Sequence, residues 1–277
     1  MLSPLFFKQS QGAPRRLLKV AARPMSAGVN QPREPIFNIP AVVLGLLAAI
    51  VLVHLVRIYL LSPLTDRLLV WEFAFIPARY TWSNLSAGGW QYVWAFVTYA
   101  FIHADYMHLG FNSLWLLAFG TPVARRFGTF RFINFFALTA AAGALLYLVV
   151  HFGAMEPMVG ASAAISGMMG AATRFAFQRG GPLDSWRQAD GDHAYRLPAA
   201  PLSVALRDGR VLGFVAAWFG LNLLFGLGSL PFLGEDQAVA WEAHVGGFLA
   251  GLLLFGMFDP VQPQEDFDGD NSTQIQL

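Results

Sequence analysis

Two polar residues in stretches that are otherwise small and apolar have the types and surroundings needed for nucleophilic chemistry. Ser162 lies within MVGASAAISGMMG, at the expected start of a helix. Free backbone N–H groups and the helix dipole at such an end stabilise a developing negative charge, so a serine there is well placed as a nucleophile. His244 lies within WEAHVGGFLAG and shares a helix face with Gly247 and Gly251. We therefore expect Ser162 and His244 to meet where two small-residue helices pack closely.

A second polar group lies in the sequence FIHADYMHLGFN. His108 and Asn112 are four residues apart and so lie on one face of a helix, and His103 precedes His108 by five residues. Two neutral imidazoles and one amide offer hydrogen-bond donors in surroundings that are poor in water. Ionisable groups inside membrane spans are costly and are functional candidates by default. The alternative for each of them is a structural hydrogen bond between helices, worth about 0.6 kcal/mol.

The histidines also raise the question of a metal site. Zinc would use His103, His108 and His244, and haem iron a pair of facing histidines. The H-E-x-x-H motif of metalloproteases is missing, however, and no carboxylate shares the intramembrane faces. The chain has no cysteine, which excludes thiolate sites. Glu242 lies two residues from His244, roughly on the opposite side of the helix, so a Ser-His dyad is favoured over a triad. We expect neither a metal nor an organic cofactor.

Transmembrane helices are the elements that would position these residues. The chain of 277 residues is 56% hydrophobic and 13% charged, with a mean hydropathy of +0.49, whereas soluble domains carry about 25% charged residues. Its net charge of +1 gives no indication of a nucleic-acid partner. A spanning helix needs about 20 mostly apolar residues, and we predict six, hence an all-α polytopic membrane protein. The predicted spans are Ile39–Leu61, Trp90–Phe119, Phe132–Phe152, Gly160–Phe177, Val211–Leu230 and Ala240–Phe258.

The positive charges predict the side of the membrane that each loop occupies. With the N-terminus in the cytoplasm, fifteen of the eighteen Lys and Arg residues fall on the inner side, which satisfies the positive-inside rule. The loops at 153–160 and 231–239 contain no Lys or Arg. We therefore expect both termini in the cytoplasm. The bacterial inner membrane is the favoured location, and the mitochondrial inner membrane is the alternative.

Two tails flank the predicted membrane domain at residues 39–258. The first 33 residues of the N-terminal tail, residues 1–38, contain no acid and several arginines, as a mitochondrial transit peptide does. The reading that we favour is that Met25 is the true start. Residues 259–277 are acidic and polar, and we expect this C-terminal tail to be disordered.

The three motifs together resemble the rhomboid family of intramembrane serine proteases in its six-helix bacterial form. HADYMHLGFN on the second predicted span, GASAAISG on the fourth and AHVGGFLAG on the sixth come in the family's order. The resemblance covers about residues 39–258. It implies a rhomboid-like six-helix bundle, transmembrane protein substrates within the lipid bilayer, and a membrane-dipping loop at residues 62–93.

The resemblance also implies a role for each candidate residue. Ser162 would be the nucleophile and His244 its general base. His108 and Asn112, together with the backbone N–H of Ser162, would form the oxyanion hole, the set of donors that binds the negatively charged oxygen of the intermediate. His103 would support the site more than it performs chemistry.

The sequence departs from the family pattern at three places. Ala163 follows the nucleophile where glycine is usual, Ser166 stands where an aromatic residue is common, and Trp94-Ala95 replaces a Trp-Arg pair. The extra methyl of Ala163 favours the main alternative, a catalytically inactive rhomboid-like protein that binds client transmembrane helices. The presence of both the serine and the histidine argues against that alternative. A small-molecule transporter would show two repeated halves, and the sequence contains no such repeat.

Overall fold

The computed structural model describes residues 39–183, 191–226 and 239–261, which are mostly helical. The all-α membrane bundle predicted from the sequence is confirmed. The predicted N-terminal tail lies outside the described residues, as does the C-terminal tail beyond Val261. The helices that position the site are α1 (Ala41–Tyr59), α2 (Pro63–Phe73), α3 (Trp82–Ser86), α4 (Tyr106–Trp115), α5 (Thr121–Phe127), α6 (Thr129–Val150), α7 (Ser162–Phe175), α8 (Gly209–Gly226) and α9 (Trp241–Phe258).

Three of the described helices, α1, α6 and α9, are long and apolar enough to cross a membrane. The predicted fifth span is represented by a shorter apolar helix, Gly209–Leu224 within α8. The predicted fourth span is α7, which has only 14 residues. Nearly every side chain of α7 is buried inside the bundle. A helix that neighbouring helices surround in this way does not need a long lipid-facing apolar surface, and its small residues permit close packing.

The second predicted span, Trp90–Phe119, is wrong as a single helix. Short helical turns end at Phe101, and α4 begins only at Tyr106. The physical reason is Asp105, whose carboxylate caps α4 by accepting the backbone N–H of His108 at 2.8 Å. Such a cap requires a non-helical backbone at Asp105 itself, so a continuous helix cannot run through this position.

The second part of this span continues as helix beyond Phe119, the predicted end. A π-helical turn at Leu116–Gly120 joins α4 to α5, so that nearly continuous helix runs from Tyr106 to Phe127. Gly128, with a φ of 75°, then separates α5 from α6. His103 lies in the connection before α4.

The predicted membrane-dipping loop at residues 62–93 contains α2 and α3 and is held together by a buried arginine. The guanidinium of Arg79 lies 4.0 Å from the centre of the Tyr92 ring. It also donates to backbone carbonyls at the end of α2, those of Trp71, Glu72 and Ala74. Burial lowers the pKa of this guanidinium from its ordinary value. Arg79 therefore joins the end of α2 to Tyr92, near the other end of the same loop.

Glycine and alanine residues allow α7 and α9 to pack at backbone distance. A methyl group at Gly247 would overlap the carbonyl oxygen of Ala163, and one at Gly251 would overlap that of Gly167. A methyl group at Gly170 of α7 would likewise overlap a backbone carbonyl of α9. We call these residues the glycine interface: Ala163, Gly167, Gly170, Gly247 and Gly251. The close approach of the fourth and sixth predicted spans follows from this interface.

The far end of α9 is fixed by a buried ion pair. Asp259, which follows the last residue of α9, accepts two hydrogen bonds of 2.9 and 2.8 Å from Arg126. Arg126 also donates to the backbone carbonyls of Tyr195 and Leu197 and lies 4.8 Å from the Phe175 ring centre. The first residue of the predicted C-terminal tail therefore belongs to the folded bundle.

Candidate active site

The turn before α7 places Ser162 as the first residue of that helix. Gly160 has a φ of 115°, a conformation that strains any residue with a Cβ, and its N–H donates to the carbonyl of Tyr99 at 3.0 Å. The first hydrogen bond that closes a turn of α7 runs from Ile165 N–H to Ala161 O. The N–H groups from Ser162 to Ala164 consequently have no acceptor within the helix and surround the serine with donors.

Ser162 lies in hydrogen-bond contact with His244. The serine Oγ is 2.7 Å from His244 Nε2, although the two residues are 82 positions apart in the chain. Ser162 comes directly before Ala163, and His244 lies one turn before Gly247, so the glycine interface sets the separation of the two side chains. Both side chains are half-buried. A serine and an imidazole at this distance can exchange a proton directly.

The other ring nitrogen of His244 contacts Asn222, a residue that the sequence analysis missed. Nδ1 of the imidazole lies 2.5 Å from Oδ1 of Asn222, whose Nδ2 donates to the carbonyl of Trp218 at 2.8 Å. Asn222 is buried, on α8. It is an isolated amide in the apolar stretch WFGLNLLF. The criterion that identified Asn112, a polar group within an apolar span, would have found it as well.

His108 lies beside the turn that precedes Ser162. A methyl group at Gly160 would be 2.5 Å from Nε2 of His108 and 3.7 Å from Oγ of Ser162. The glycine therefore makes room for the imidazole next to the start of α7. Asn112 is buried one turn further along α4, and its Nδ2 donates to the backbone carbonyl of His108 at 3.0 Å. The described contacts of Asn112 do not include Ser162.

His103 is buried and holds the connection before α4 in place. Its backbone carbonyl accepts from Nη1 of Arg57 at 2.8 Å, and Arg57 in turn pairs with Asp66 at 2.7 Å. Its Nε2 is 3.5 Å from the backbone N of Ala161, next to the serine. The rings of His103 and His108 meet edge to face with centres 5.1 Å apart. These contacts join the connection before α4 to α1, to His108 and to the turn before α7.

The extra methyl of Ala163 has room on α6. The Cβ of Ala163 is buried and faces Gly143. A methyl group added at Gly143 would lie only 2.6 Å from this Cβ. The absence of a side chain at Gly143 accommodates the methyl group of Ala163, the residue that follows Ser162. Ser166 is buried one turn further along α7, and within the described chain no aromatic ring stacks on His244.

Glu242 takes no part in the Ser162–His244 contact. Its carboxylate lies 3.1 Å from Nε2 of His151, at the end of α6. The described residues contain no cluster of His, Asp or Glu side chains arranged to hold a metal ion. Among the described residues, His244 has an uncharged group next to each ring nitrogen: the hydroxyl of Ser162 at one and the amide oxygen of Asn222 at the other.

Comparison with known proteins gives three informative relatives. The chain is 23% identical over 167 residues to "Rhomboid protease GlpG" of Haemophilus influenzae, covering 60% of this chain and 70% of that protein. It is 26% identical over 198 residues to "RHOMBOID-like protein 7" of Arabidopsis thaliana, covering 69% and 53%. It is 36% identical over 75 residues to "Rhomboid protein 1, mitochondrial" of Saccharomyces cerevisiae, covering 26% and 22%. The chain thus spans about half or less of the yeast and plant proteins.

The family comparison covers the site itself. The Rhomboid domain matches residues 90–259, which is more than half of the chain and includes α4, α7, α8 and α9. The resemblance inferred from three short motifs therefore extends through the helices that hold Ser162, Asn222 and His244. The chain belongs to the rhomboid family.

Proposed function

We propose that this protein is an intramembrane serine endopeptidase that cleaves transmembrane protein substrates with Ser162 and His244. The observation that carries the proposal is the 2.7 Å contact between Ser162 Oγ and His244 Nε2. It joins a serine at a helix start to an imidazole whose position is set by backbone-to-backbone packing. Family membership, with a bacterial rhomboid protease among the relatives, supports the same reaction.

The proposed reaction begins with proton transfer from Ser162 to His244. As Oγ attacks the scissile carbonyl carbon, Nε2 of His244 takes the hydroxyl proton and an anionic tetrahedral intermediate forms. The imidazolium then gives this proton to the leaving amine nitrogen as the C–N bond breaks, which leaves an acyl group on Ser162. A water molecule, deprotonated by the same imidazole, attacks the acyl carbon. As the bond from this carbon to Oγ breaks and the acid product leaves, the imidazolium returns the proton to Ser162.

The oxyanion of this intermediate would be bound at the start of α7. The backbone N–H groups there have no acceptor within the helix, and His108 lies beside the same turn. Asn112 would contribute an amide hydrogen, since among the described residues only one of its two amide hydrogens has an acceptor, the backbone carbonyl of His108. Each well-placed donor is worth about 2.7–4 kcal/mol of transition-state stabilisation in serine proteases.

The observation that favoured an inactive binding protein carries less weight in the folded chain. The alternative depended on a methyl group at Ala163 that narrows a crowded helix contact. That methyl faces Gly143 of α6, and the contact between Ser162 and His244 is formed with the methyl present. We therefore retain the protease as the proposed function.

A fluorophosphonate probe tests the proposal without a known substrate, because it reacts covalently with activated serines. The full-length protein, purified in detergent, is expected to be labelled, and Ser162→Ala and His244→Ala are expected to lose labelling while remaining folded. Ser166→Ala is the matched control, since it removes a buried hydroxyl one turn along the same helix. Labelling of Ser162→Ala at the wild-type rate, or a folded wild type without labelling, would contradict the proposal.

We further propose that the protein lies in the bacterial inner membrane with both termini in the cytoplasm. The distribution of Lys and Arg supports this orientation. The relatives include bacterial and mitochondrial proteins, so they do not distinguish the bacterial from the mitochondrial inner membrane. A reporter active only in the cytoplasm, fused after Leu277, is expected to be active in bacterial cells, and an inactive reporter on an inserted protein would contradict the orientation.

A further inference from the structure

Three asparagines in the described helices make the same hydrogen bond to their own helix. Asn112, Asn134 and Asn222 each donate from Nδ2 to the carbonyl four residues earlier, at 3.0, 2.8 and 2.8 Å. Of these three, Asn222 has an amide oxygen that, in the described chain, contacts a side chain of another helix, at Nδ1 of His244. The difference suggests that Asn222 has a role beyond the stability of α8.

The bond to the backbone decides which atom of Asn222 faces the histidine. A carbonyl oxygen can only accept, so the atom next to Trp218 O must be the amide nitrogen, and the atom next to His244 is the amide oxygen. An oxygen at this place requires a hydrogen on Nδ1 of His244. In the neutral imidazole the other nitrogen, Nε2, then carries the lone pair, and Nε2 is the atom next to Oγ of Ser162.

A second contact between α8 and α9 also holds Asn222 opposite His244. Trp218 lies one turn before Asn222 and stacks on Phe248, with ring centres 4.5 Å apart and ring planes 24° from parallel. Phe248 lies one turn after His244 on α9. Two successive turns of α8 therefore contact two successive turns of α9, and the aromatic pair fixes the height at which the amide meets the imidazole.

We propose that Asn222 is a positioning residue that holds His244 as the tautomer able to accept the serine proton. The inference rests on the proposed function. Asn222 would occupy the place that an aspartate has in a Ser-His-Asp triad, accepting the Nδ1–H bond without carrying a charge. No aromatic ring stacks on His244 in the described chain, and position 166 offers only a serine. Among the described contacts, the hydrogen bonds to Ser162 and Asn222 are those that orient the ring.

The test compares Asn222→Leu, Asn222→Asp and Asn134→Leu in the purified full-length protein. Leucine is similar in size but has no acceptor, aspartate keeps one, and Asn134→Leu removes the same kind of backbone bond away from the site. The concentration dependence of fluorophosphonate labelling separates the rate of the covalent step from the binding of the probe. We expect Asn222→Leu to slow the covalent step by about 10- to 100-fold with unchanged probe binding. Asn222→Asp should retain most of the rate, and Asn134→Leu should label like the wild type.

Three outcomes would overturn this role. Asn222→Leu could label at the wild-type rate, its loss could lie entirely in probe binding, or Asn134→Leu could show the same loss. Each of these leaves Ser162-dependent labelling of the wild type intact and so contradicts the role of Asn222 alone. A wild type that is not labelled at Ser162 contradicts the proposed function instead.

A second measurement uses the wild type and therefore does not depend on whether an Asn222 variant folds. Nitrogen NMR of the histidine side chains distinguishes a protonated from an unprotonated ring nitrogen, and His244→Ala assigns the signals of His244. We expect the hydrogen of the neutral wild-type ring on Nδ1 and the unprotonated nitrogen at Nε2. The opposite tautomer would overturn the proposal.

Discussion

Of the helices that contact α9 around His244, α7 and α8 do so in different ways. α7 meets α9 through the glycine interface, where backbone lies against backbone and no methyl group would fit at Gly170, Gly247 or Gly251. α8 meets α9 through larger side chains, by the stacking of Trp218 on Phe248 and by the contact of Asn222 with His244. Much of the remaining surface of α8 is exposed in the described chain.

This difference indicates a division of roles around the imidazole. Side chains can change rotamer, whereas two backbones in contact can move only as whole helices. The α7 contact therefore sets the distance between Ser162 and His244, and the α8 contact sets the orientation of the ring. The following predictions test each part of this division, and all use the rate of fluorophosphonate labelling together with thermal unfolding.

The largest effect is expected from filling the glycine interface. In Gly251→Leu, the new side chain overlaps the backbone of Gly167 and must push α7 and α9 apart. We expect complete loss of labelling and a loss of at least about 3 kcal/mol in the free energy of unfolding. Gly256→Leu is the control on the same helix, because an added Cβ there meets no atom within 4 Å. If the two variants label and unfold alike, the glycine interface does not set the distance between Ser162 and His244.

A large but incomplete loss is expected at Asn112, which lies on α4. Asn112→Ala removes one proposed oxyanion donor and leaves both contacts of α9 in place. Labelling should slow by about 100-fold, the usual cost of one such donor, with the thermal unfolding temperature close to that of the wild type. Asn134→Ala is the control for the loss of a helical amide. Wild-type labelling by Asn112→Ala would remove Asn112 from the oxyanion hole.

A smaller effect is expected from weakening the aromatic contact of α8. Trp218→Ala deletes the ring that stacks on Phe248 and so loosens the register at which Asn222 meets His244. We expect labelling to slow by about 10-fold, at the low end of the range for groups that orient a ligand or base. Leu221→Ala, at an exposed position of the same helix, should label normally. If Trp218→Ala lowers the stability but leaves the labelling rate unchanged, the aromatic pair does not position Asn222 against His244.

The smallest effect is expected at Ala163. Because the methyl faces Gly143 and lies away from the proton-transfer contact, Ala163→Gly should leave the labelling rate within about threefold of the wild type. Its main cost should be about 0.5–1 kcal/mol in the free energy of unfolding, from a glycine in a helix. A tenfold gain in labelling would mean that the methyl restricts the site after all, which would revive the argument for an inactive binding protein.

Local sequence patterns were sufficient for the fold class and for the helices that carry the motifs. Apolar stretches of spanning length predicted α1, α6 and α9, and small residues at helical spacing predicted the close approach of α7 and α9. The prediction failed in the second span because apolar composition alone does not reveal a helix cap. A single carboxylate, that of Asp105, outweighs the hydropathy of the surrounding residues by ending one helical segment and starting the next.

The sequence by itself determined that a serine begins one small-residue helix, that a histidine lies among glycines on another, and that the chain has the order of rhomboid motifs. Periodicity and capping act within a few residues, so these features can be read locally. Only the tertiary structure decided that Asn222 meets His244, that Gly143 accommodates Ala163 and that Arg79 joins α2 to Tyr92. Each of these depends on the rotation and height of one element against another, which packing of the whole bundle sets and which no spacing along the chain reveals.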